Sequence, residues 1–246
     1  MLVGGDQGAQ LYAKNQAKAC STVGIEYMLH ELPETASQDA VVELISGLNA
    51  NPSVTAIMVH LPLPPQVETD AIQSMIAAEK DVEGVNPANI GNIVFGRRSL
   101  VPCTALAVME MIESTGVEIR AKQAVCVGAS TIVGKPVAVL LMQAEATVIS
   151  TNEHTKHQET LTKNADILVT AAGVPNLVTA DIVKEGAVVI DVGINRIVGE
   201  DGKKRTVGDV DFEGVSKVAS YISPVPGGVG PMTVAMLLRN TVQAAE

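Results

Sequence analysis

The chain has 246 residues, enough for one large domain or two modest ones, each with its own core. Apolar residues make up 47% of the sequence, yet it contains two Phe, three Tyr and no Trp, which favours the aliphatic core of a buried parallel sheet over an antiparallel sandwich. The formal net charge is −10 and there is no extended basic run, which argues against nucleic acid as a partner.

The cysteines indicate neither a disulfide framework nor a zinc site. Cys20, Cys103 and Cys126 are widely spaced and form no C-x-x-C pair, so we expect no metal and a reducing compartment. No uninterrupted apolar run approaches the roughly 18 residues that span a bilayer, and no signal peptide is visible. The sequence therefore predicts a soluble, cytoplasmic protein without membrane contact.

The N-terminal part of the chain predicts a βαβα domain that lacks a glycine-rich loop of its own. Residues 1–5 resemble the end of a strand. The apolar pattern then predicts strands over residues 25–29 and 56–61, and helices over residues 8–23, from Ser37 onward, and over residues 67–78. Residues 81–100 are polar and show little periodicity, so no element is predicted there.

The rest of the chain predicts a second α/β domain, reached through a helix over residues 105–114. Four strands follow, over residues 124–127, 147–150, 166–170 and 187–192, separated by helices that start at residues 134, 156 and 180. Such alternation predicts a parallel sheet wound by right-handed crossovers. The last predicted elements are a charged hairpin or loop over residues 197–207, a short strand at 221–222 and an amphipathic helix over 234–244.

The turn after the first of these four strands predicts an anion site. Gly128, Ala129 and Ser130 lead from the strand towards a helix, whose free N–H groups and dipole attract a phosphate. The G-x5-G spacing matches neither the dinucleotide fingerprint nor the Walker loop, and no Ser or Thr follows Lys135 to bind magnesium. By itself the turn leaves a dinucleotide site and a plain βα turn equally open.

An acidic residue follows the second strand of this unit. Glu153 lies near the position at which a mononucleotide-binding unit holds a ribose diol. The alternative is a solvated loop carboxylate. The preceding strand–turn–helix pattern favours the ribose role.

Five sequence motifs together point to a known family. They are HLPLP from His60, KDVEG from Lys80, the turn from Gly128 to Pro136, DVGIN from Asp191, and the apolar, uncharged PVPGGVGPMT from Pro224. With these motifs in this order, the chain resembles the bifunctional methylenetetrahydrofolate dehydrogenase/methenyltetrahydrofolate cyclohydrolases. The likeness is ungapped over long stretches from Val3 onward. It implies about 40 further family residues before Val3, which complete the first domain's sheet, and suggests that the sequence starts late or was trimmed.

The resemblance implies two α/β domains flanking a cleft, the second a Rossmann-type parallel sheet. The folate-binding domain would span residues 1–101, completed by a C-terminal helix over 231–246, and the NAD(P)-binding domain residues 102–230. The implied activity is NAD(P)-dependent oxidation of 5,10-methylenetetrahydrofolate to 5,10-methenyltetrahydrofolate, followed by hydrolysis to 10-formyltetrahydrofolate. The resemblance also implies a homodimer.

The resemblance also implies which residues contact each ligand. Tyr12 would stack on the folate or hydrogen-bond near its one-carbon bridge. The remaining substrate contacts would be Val59, His60, Leu61, Glu83, Pro226, Gly227, Gly228, Val229 and Gly230. The cofactor contacts would be Gly128, Ala129, Ser130, Glu153, Thr155 and Ile194.

Three of the implied catalytic positions depart from the family pattern. Gln16 stands where the family has Lys, His60 where it has Gln, and Glu83 where it has Asp. Gln16 cannot titrate, and Lys14 and Lys18 lie about 200° around a helix from it. His60, with an ordinary pKa near 6.5, is a candidate for the missing acid–base role, or it hydrogen-bonds as Gln would.

These departures predict that dehydrogenase activity is retained, because hydride transfer depends mainly on alignment, and that cyclohydrolase activity is weak or lost. A catalytically silent paralogue that binds folate or nucleotide is the alternative. The cofactor is NADP or NAD. Ala129 and Glu153 favour NAD, because a carboxylate accepts from a ribose 2′-hydroxyl and repels a 2′-phosphate, whereas His154 and Lys156 lie close by and weaken that preference.

Overall fold

The computed structural model describes residues 1–97, 100–199 and 202–246. It divides into two compact units, the first formed by Met1–Val101 and Leu237–Glu246 and the second by Pro102–Met236. The segment predicted to lack structure, and the predicted hairpin, each include two residues outside this description. Among the described residues, no helix has the length and apolar character needed to cross a membrane.

Unit 1 surrounds a small parallel sheet with helices. Its strands are β1 (Leu2–Val3) and β2 (Glu31–Leu32), and its helices are α1 (Gln7–Thr22), α2 (Gln38–Ala50), α3 (Thr69–Met75) and α4 (Pro87–Val94). Asp6 caps α1 by accepting from Ala9 N at 2.8 Å, and Ser37 caps α2 by accepting from Ala40 N at 3.3 Å. The core of this unit includes Val41 and Ile45, both fully buried on the inner face of α2.

Pairing in unit 1 is shorter than the sequence predicts. β1 pairs with β2 in parallel over Leu2 and Val3, and on its other side Met1 O accepts from His60 N at 2.9 Å. The strand predicted over residues 25–29 is wrong, since regular pairing begins only at β2. The strand predicted over residues 56–61 appears as a single parallel bridge from Ile57 to Asp81. A strand needs a hydrogen-bonded neighbour along its length. Because β1 is only two residues long, it can pair with a neighbouring strand over two residues only.

Unit 2 contains the predicted doubly wound parallel sheet. Five parallel strands follow the order β4-β3-β5-β6-β9. They are β3 (Gln123–Val127), β4 (Thr147–Thr151), β5 (Ile167–Thr170), β6 (Val188–Asp191) and β9 (Tyr221–Ile222). Every residue of β5 and β6 is buried, as expected when a parallel sheet is covered on both faces. The helices of this unit are α5 (Cys103–Ser114), α6 (Gly134–Gln143), α7 (Gln158–Thr162) and α8 (Phe212–Val215).

Four further elements either match or differ from the sequence prediction. The predicted hairpin is confirmed as β7 (Asn195–Val198) paired antiparallel with β8 (Lys204–Val207). Helix α4 was not predicted, although Asn86 caps it and Pro87 occupies its first turn. The helix predicted from residue 180 is a 3-10 turn, Ala180–Ile182. The final helix α9 (Val229–Gln243) begins at Val229, before the predicted start at residue 234, so it includes the end of the motif that begins at Pro224.

Asn240, near the end of α9, links the C-terminal part of unit 1 to its N-terminal part. It is fully buried, and its Nδ2 donates to Val82 O and to Val101 O, each at 2.9 Å. The first of these acceptors directly precedes Glu83. A buried carbonyl that loses its donor bears a desolvation cost.

We therefore expect Asn240→Ala to lower the free energy of unfolding by about 2–4 kcal/mol, since it leaves two buried carbonyls without this donor. Urea denaturation of the full chain measures the change. Asn164→Ala is the matched control, because it removes an amide bond to Thr160 O that is exposed, and it should cost under about 0.5 kcal/mol. An equal loss in the two variants would contradict the anchoring role.

Candidate active site

Helix α1 carries two of the predicted site residues on one face. Tyr12 and Gln16 are four residues apart, which places them one above the other. Tyr12 is 38% exposed, whereas Gln16 is only 2% exposed. Neither polar atom of the Gln16 amide has a hydrogen-bond partner among the described residues. Lys14 and Lys18 are exposed, so neither cation occupies the position of Gln16.

His60 lies against the same helix. Its ring is edge-on to Tyr12, with centroids 6.0 Å apart and an interplanar angle of 82°. His60 Nε2 is 2.9 Å from the Tyr27 hydroxyl, and Nδ1 is buried without a partner among the described residues. Burial, helped by the positive terminus of Met1, lowers the pKa of His60 to about 4. The imidazole is therefore neutral near pH 7, which favours the hydrogen-bonding role over the acid–base role.

Glu83 lies beside the backbone of Val59, the residue that precedes His60. Its Oε2 accepts from Val59 N at a long 3.4 Å. Burial, and secondly the charge of Asp81, raise the pKa of Glu83 to about 7. Asp81 is itself fully buried and accepts from Asn86 N at 2.7 Å and Asn89 Nδ2 at 2.9 Å. Glu83 is thus a group in unit 1 that gains or loses a proton near neutral pH.

A cavity of about 440 Å³ opens within unit 1. Its polar lining includes Gln16, Cys20, Tyr27 and His60, and most of the remaining wall is apolar. Buried polar atoms without partners are costly unless a ligand or water completes them. Two of the three altered positions, Gln16 and His60, therefore line the same cavity.

The other predicted substrate residues are placed differently. Val59 is 1% exposed, belongs to the core of unit 1 and donates its N–H to Glu83, whereas Leu61 is 41% exposed. The glycine-rich substrate segment lies in unit 2, where Gly227 has a φ of 104° and Gly228 leaves no room for a Cβ beside Pro224 O. Its last two members, Val229 and Gly230, begin α9.

The glycine turn of unit 2 has the close packing of a backbone cradle. Gly128 has a φ of 102°, and a Cβ there would collide with Ala171 O. A Cβ at Gly134, the first residue of α6, would collide with Gly128 O. Ser130 Oγ accepts from Gly134 N at 3.2 Å. The strand, turn and helix N-terminus predicted from the sequence are therefore confirmed, and their backbones pack closely against one another.

The remaining predicted cofactor residues lie after β4 and β6. The side chain of Glu153 is 80% exposed and approaches His154 Nε2 at 3.5 Å. Thr155 Oγ1 accepts from Asn152 N at 3.0 Å, which shapes this loop. Ile194 is 70% exposed. The exposed Glu153 carboxylate is therefore accessible to a ligand.

Sequence reasoning missed Asp209, which fixes the loops beside this cradle. It is fully buried and accepts from Ala172 N at 2.7 Å, Gly173 N at 3.0 Å and Asn195 Nδ2 at 2.9 Å. Ligands of parallel α/β sheets bind at the carboxyl ends of the strands, and these loops follow β5 and β6. In the sequence, Asp209 lies between a short charged hairpin and α8. Nothing in that pattern indicates that its carboxylate contacts the loops after β5 and β6.

Asp191, at the end of β6, supports the same region. Its carboxylate accepts from Gly193 N at 2.9 Å, Asp209 N at 3.0 Å, Val210 N at 3.0 Å and the Thr170 hydroxyl at 3.1 Å. Burial raises its pKa, and these four hydrogen bonds oppose the rise. The carboxylate joins the ends of β5 and β6 to the segment that follows β8.

Two family models match the chain. The tetrahydrofolate dehydrogenase/cyclohydrolase catalytic domain matches residues 1–83, and the NAD(P)-binding domain of the same family matches residues 102–246. The chain belongs to this family.

Similar proteins of the tetrahydrofolate dehydrogenase/cyclohydrolase family are known from bacteria and protozoa. A bifunctional protein FolD from Nitratiruptor sp. is 50% identical over 246 residues, all of this chain and 86% of the relative. The crystal structure of the Campylobacter jejuni FolD enzyme has a TM-score of 0.95 and 48% identity, covering 99% of this chain and 86% of that one. The Trypanosoma brucei enzyme, solved with NADP and an inhibitor, has a TM-score of 0.92 and 40% identity, covering 99% and 84%.

The raised pKa of Glu83 predicts a pH-dependent stability. Between pH 4.5 and about 7 folded Glu83 keeps a proton that it has lost in the unfolded chain, so its own contribution to the free energy of unfolding falls as pH rises through this window. The lowered pKa of His60 contributes a slope of the opposite sign. The Glu83 contribution should be about 1–2 kcal/mol after allowance for partial exposure. Urea denaturation across the window measures it.

Glu83→Gln should remove the Glu83 contribution, because the amide does not titrate. The free energy of unfolding of this variant relative to the wild type should therefore rise with pH across the window. Glu79→Gln, at an exposed carboxylate in the same segment, is the matched control and should keep the wild-type pH profile. A difference between Glu83→Gln and the wild type that does not change with pH would show that Glu83 does not carry the proton.

Proposed function

We propose that this chain is an NAD(P)-dependent 5,10-methylenetetrahydrofolate dehydrogenase of one-carbon metabolism. The observation that carries the proposal is the buried Gln16 amide beside neutral His60, two polar groups with atoms that lack partners among the described residues. In a member of this family, such groups fit the hydrogen-bonding atoms of a reduced folate. The folate and nucleotide functions follow the two matched domains.

The cradle at Gly128 fits a dinucleotide phosphate. Gly128 and Gly134 leave no space for a Cβ, because the turn packs directly against the backbone of Ala171 and the start of α6 packs against Gly128. The N-terminus of α6 offers a favourable dipole to the phosphate charge, while Gly134 N and Lys135 N already donate to Ser130 Oγ and Ser130 O. A bound nicotinamide supplies the hydride acceptor. Ala129, Ser130, Thr155 and Ile194 are proposed as further contacts of the cofactor.

The substrate contacts begin with Tyr12, whose partly exposed ring can stack on a flat folate ring. Gln16 can donate and accept through its amide without changing charge. Ionised Glu83 can accept from the N–H groups of a pterin. Residues 226–230 and the backbone of Val59 to Leu61 are proposed as further substrate contacts, on the family resemblance.

Two of the three altered positions offer the hydrolytic step no proton carrier, which leaves Glu83, with a pKa of about 7, as the titratable group of this set. Gln16 does not titrate, and His60 is neutral with a pKa of about 4. Hydride transfer needs mainly alignment of the donor carbon with the nicotinamide, whereas water attack benefits from a general base. We therefore propose that dehydrogenation is retained and that cyclohydrolysis is weak. The resemblance also supports a homodimer, which analytical ultracentrifugation tests.

Hydride transfer is tested by the absorbance of reduced nicotinamide when 5,10-methylenetetrahydrofolate and cofactor are mixed with the protein. We expect turnover, with a higher kcat/KM for NAD than for NADP. Glu153→Ala should raise kcat/KM for NADP roughly fivefold, because it removes a negative charge near the 2′-phosphate. Glu159→Ala, at another exposed carboxylate of this stretch, should leave the ratio unchanged.

Absence of turnover with either cofactor would instead support the silent paralogue. An unchanged cofactor ratio in Glu153→Ala would assign the Glu153 carboxylate to solvent. The two outcomes are independent, since the first concerns activity and the second only its selectivity.

Gln16→Lys should create or raise cyclohydrolase activity by about tenfold or more, because it restores a titratable amine at this position. The decay of methenyltetrahydrofolate absorbance measures it, corrected for the uncatalysed rate. Lys14→Gln, at an exposed position of the same helix, is the control and should change neither activity. Wild-type hydrolysis at a rate comparable to hydride transfer would overturn this assignment.

A further inference from the structure

Tyr27 is a polar residue of the cavity that has no role in the proposed chemistry so far. It comes from the segment between α1 and β2 and is half-buried. Its hydroxyl lies 2.9 Å from His60 Nε2. Tyr27, His60 and Gln16 line the same cavity.

The proton between Tyr27 and His60 can be assigned from their surroundings. Burial raises the pKa of Tyr27 to about 12 and lowers that of His60 to about 4, so both groups are neutral near pH 7. A neutral imidazole carries one N–H and one acceptor nitrogen. Within the described chain, His60 Nε2 is the hydrogen-bond partner of the Tyr27 hydroxyl. The 2.9 Å distance suits either direction of the bond, but a phenol O–H is the stronger donor and an unprotonated imidazole nitrogen the stronger acceptor. This favours donation from the phenol to Nε2, with the imidazole proton on Nδ1.

We propose that Tyr27 is a positioning residue that holds His60 in the Nδ1–H tautomer, so that His60 offers the reduced folate a hydrogen-bond donor and not a proton acceptor. The inference rests on the proposed function for its substrate. The free nitrogen agrees with it, since Nδ1 is buried without a partner among the described residues. A donor in that position awaits an acceptor atom of the ligand.

Among the described neighbours of His60, Tyr27 is the residue that can fix the tautomer of the imidazole. Tyr12 and the imidazole form a T-shaped ring pair, but that contact does not distinguish the two nitrogens. Of the described contacts of His60, the Tyr27 hydroxyl is the one with a ring nitrogen. Without this hydroxyl, the two tautomers would compete, and a fraction of the protein would present a lone pair where the substrate needs an N–H.

The tautomer is measured directly by ¹⁵N NMR of the protein labelled at its four histidines. His60→Gln assigns the His60 signals by their loss. We expect the wild type to show a protonated Nδ1 and an accepting Nε2, and Tyr27→Phe to shift the pattern towards a mixture. A proton on Nε2 in the wild type, or an unchanged pattern in Tyr27→Phe, would overturn the proposal.

Kinetics test whether Tyr27 acts through His60. Tyr27→Phe should lower the dehydrogenase kcat/KM by about three- to tenfold, the effect of one hydrogen bond. In a His60→Gln background the same change should have no further effect. Tyr221→Phe, at an exposed residue of β9, is the control and should not alter the rate. An equal fall with and without His60 would reveal a purely structural role for Tyr27.

The two measurements separate this inference from the proposed function. The NMR result needs no turnover, so the expected tautomer in an inactive protein would contradict the dehydrogenase assignment alone. An active enzyme with the other tautomer would contradict the role of Tyr27 alone. If Tyr27→Phe does not fold, the wild-type spectrum still decides where the proton lies.

Discussion

Removing a polar group from water without a new partner costs about 1–3 kcal/mol, and this constraint shapes both units. Asn240 meets it by donating to two buried carbonyls of unit 1. Asp191 and Asp209 meet it in unit 2 with backbone N–H groups from several loops. Gln16 and His60 do not fully meet it, since the Gln16 amide and His60 Nδ1 are buried without a partner among the described residues. Both residues line a cavity, where a ligand can complete their hydrogen bonds.

The acid–base character of the site follows from the same desolvation. Gln16 carries no titratable proton, and burial keeps His60 uncharged and Glu83 partly protonated near pH 7. Neutral donors and acceptors are well suited to binding and orienting a substrate. Gln16 and His60 are therefore poorly suited to activating water, and Glu83 is the one of these three groups that exchanges a proton near neutral pH. With two of the three positions unable to carry a proton, the site fits a reaction limited by alignment better than one limited by proton transfer.

The sequence predicted what is local and missed what depends on distant partners. The strand, turn and helix around Gly128 follow one another in the chain, so their residue types suffice to predict them. Residues 25–29 have a strand-like composition, but their pairing depends on how far β1 extends. The contacts of Asp209 come from residues 172, 173 and 195, which no spacing brings together. The reference pKa of His60 likewise gave no sign of its burial.

Asp209 has a consequence for how the loops after β5 and β6 respond to a ligand. One of its carboxylate oxygens accepts from Ala172 N and Gly173 N, and the other accepts from Asn195 Nδ2. Gly193 packs so tightly against this carboxylate that a Cβ there would collide with it. Displacing either loop therefore breaks contacts that also order the other. The two loops form one mechanical element, and a molecule that immobilises one of them damps the fluctuations of both.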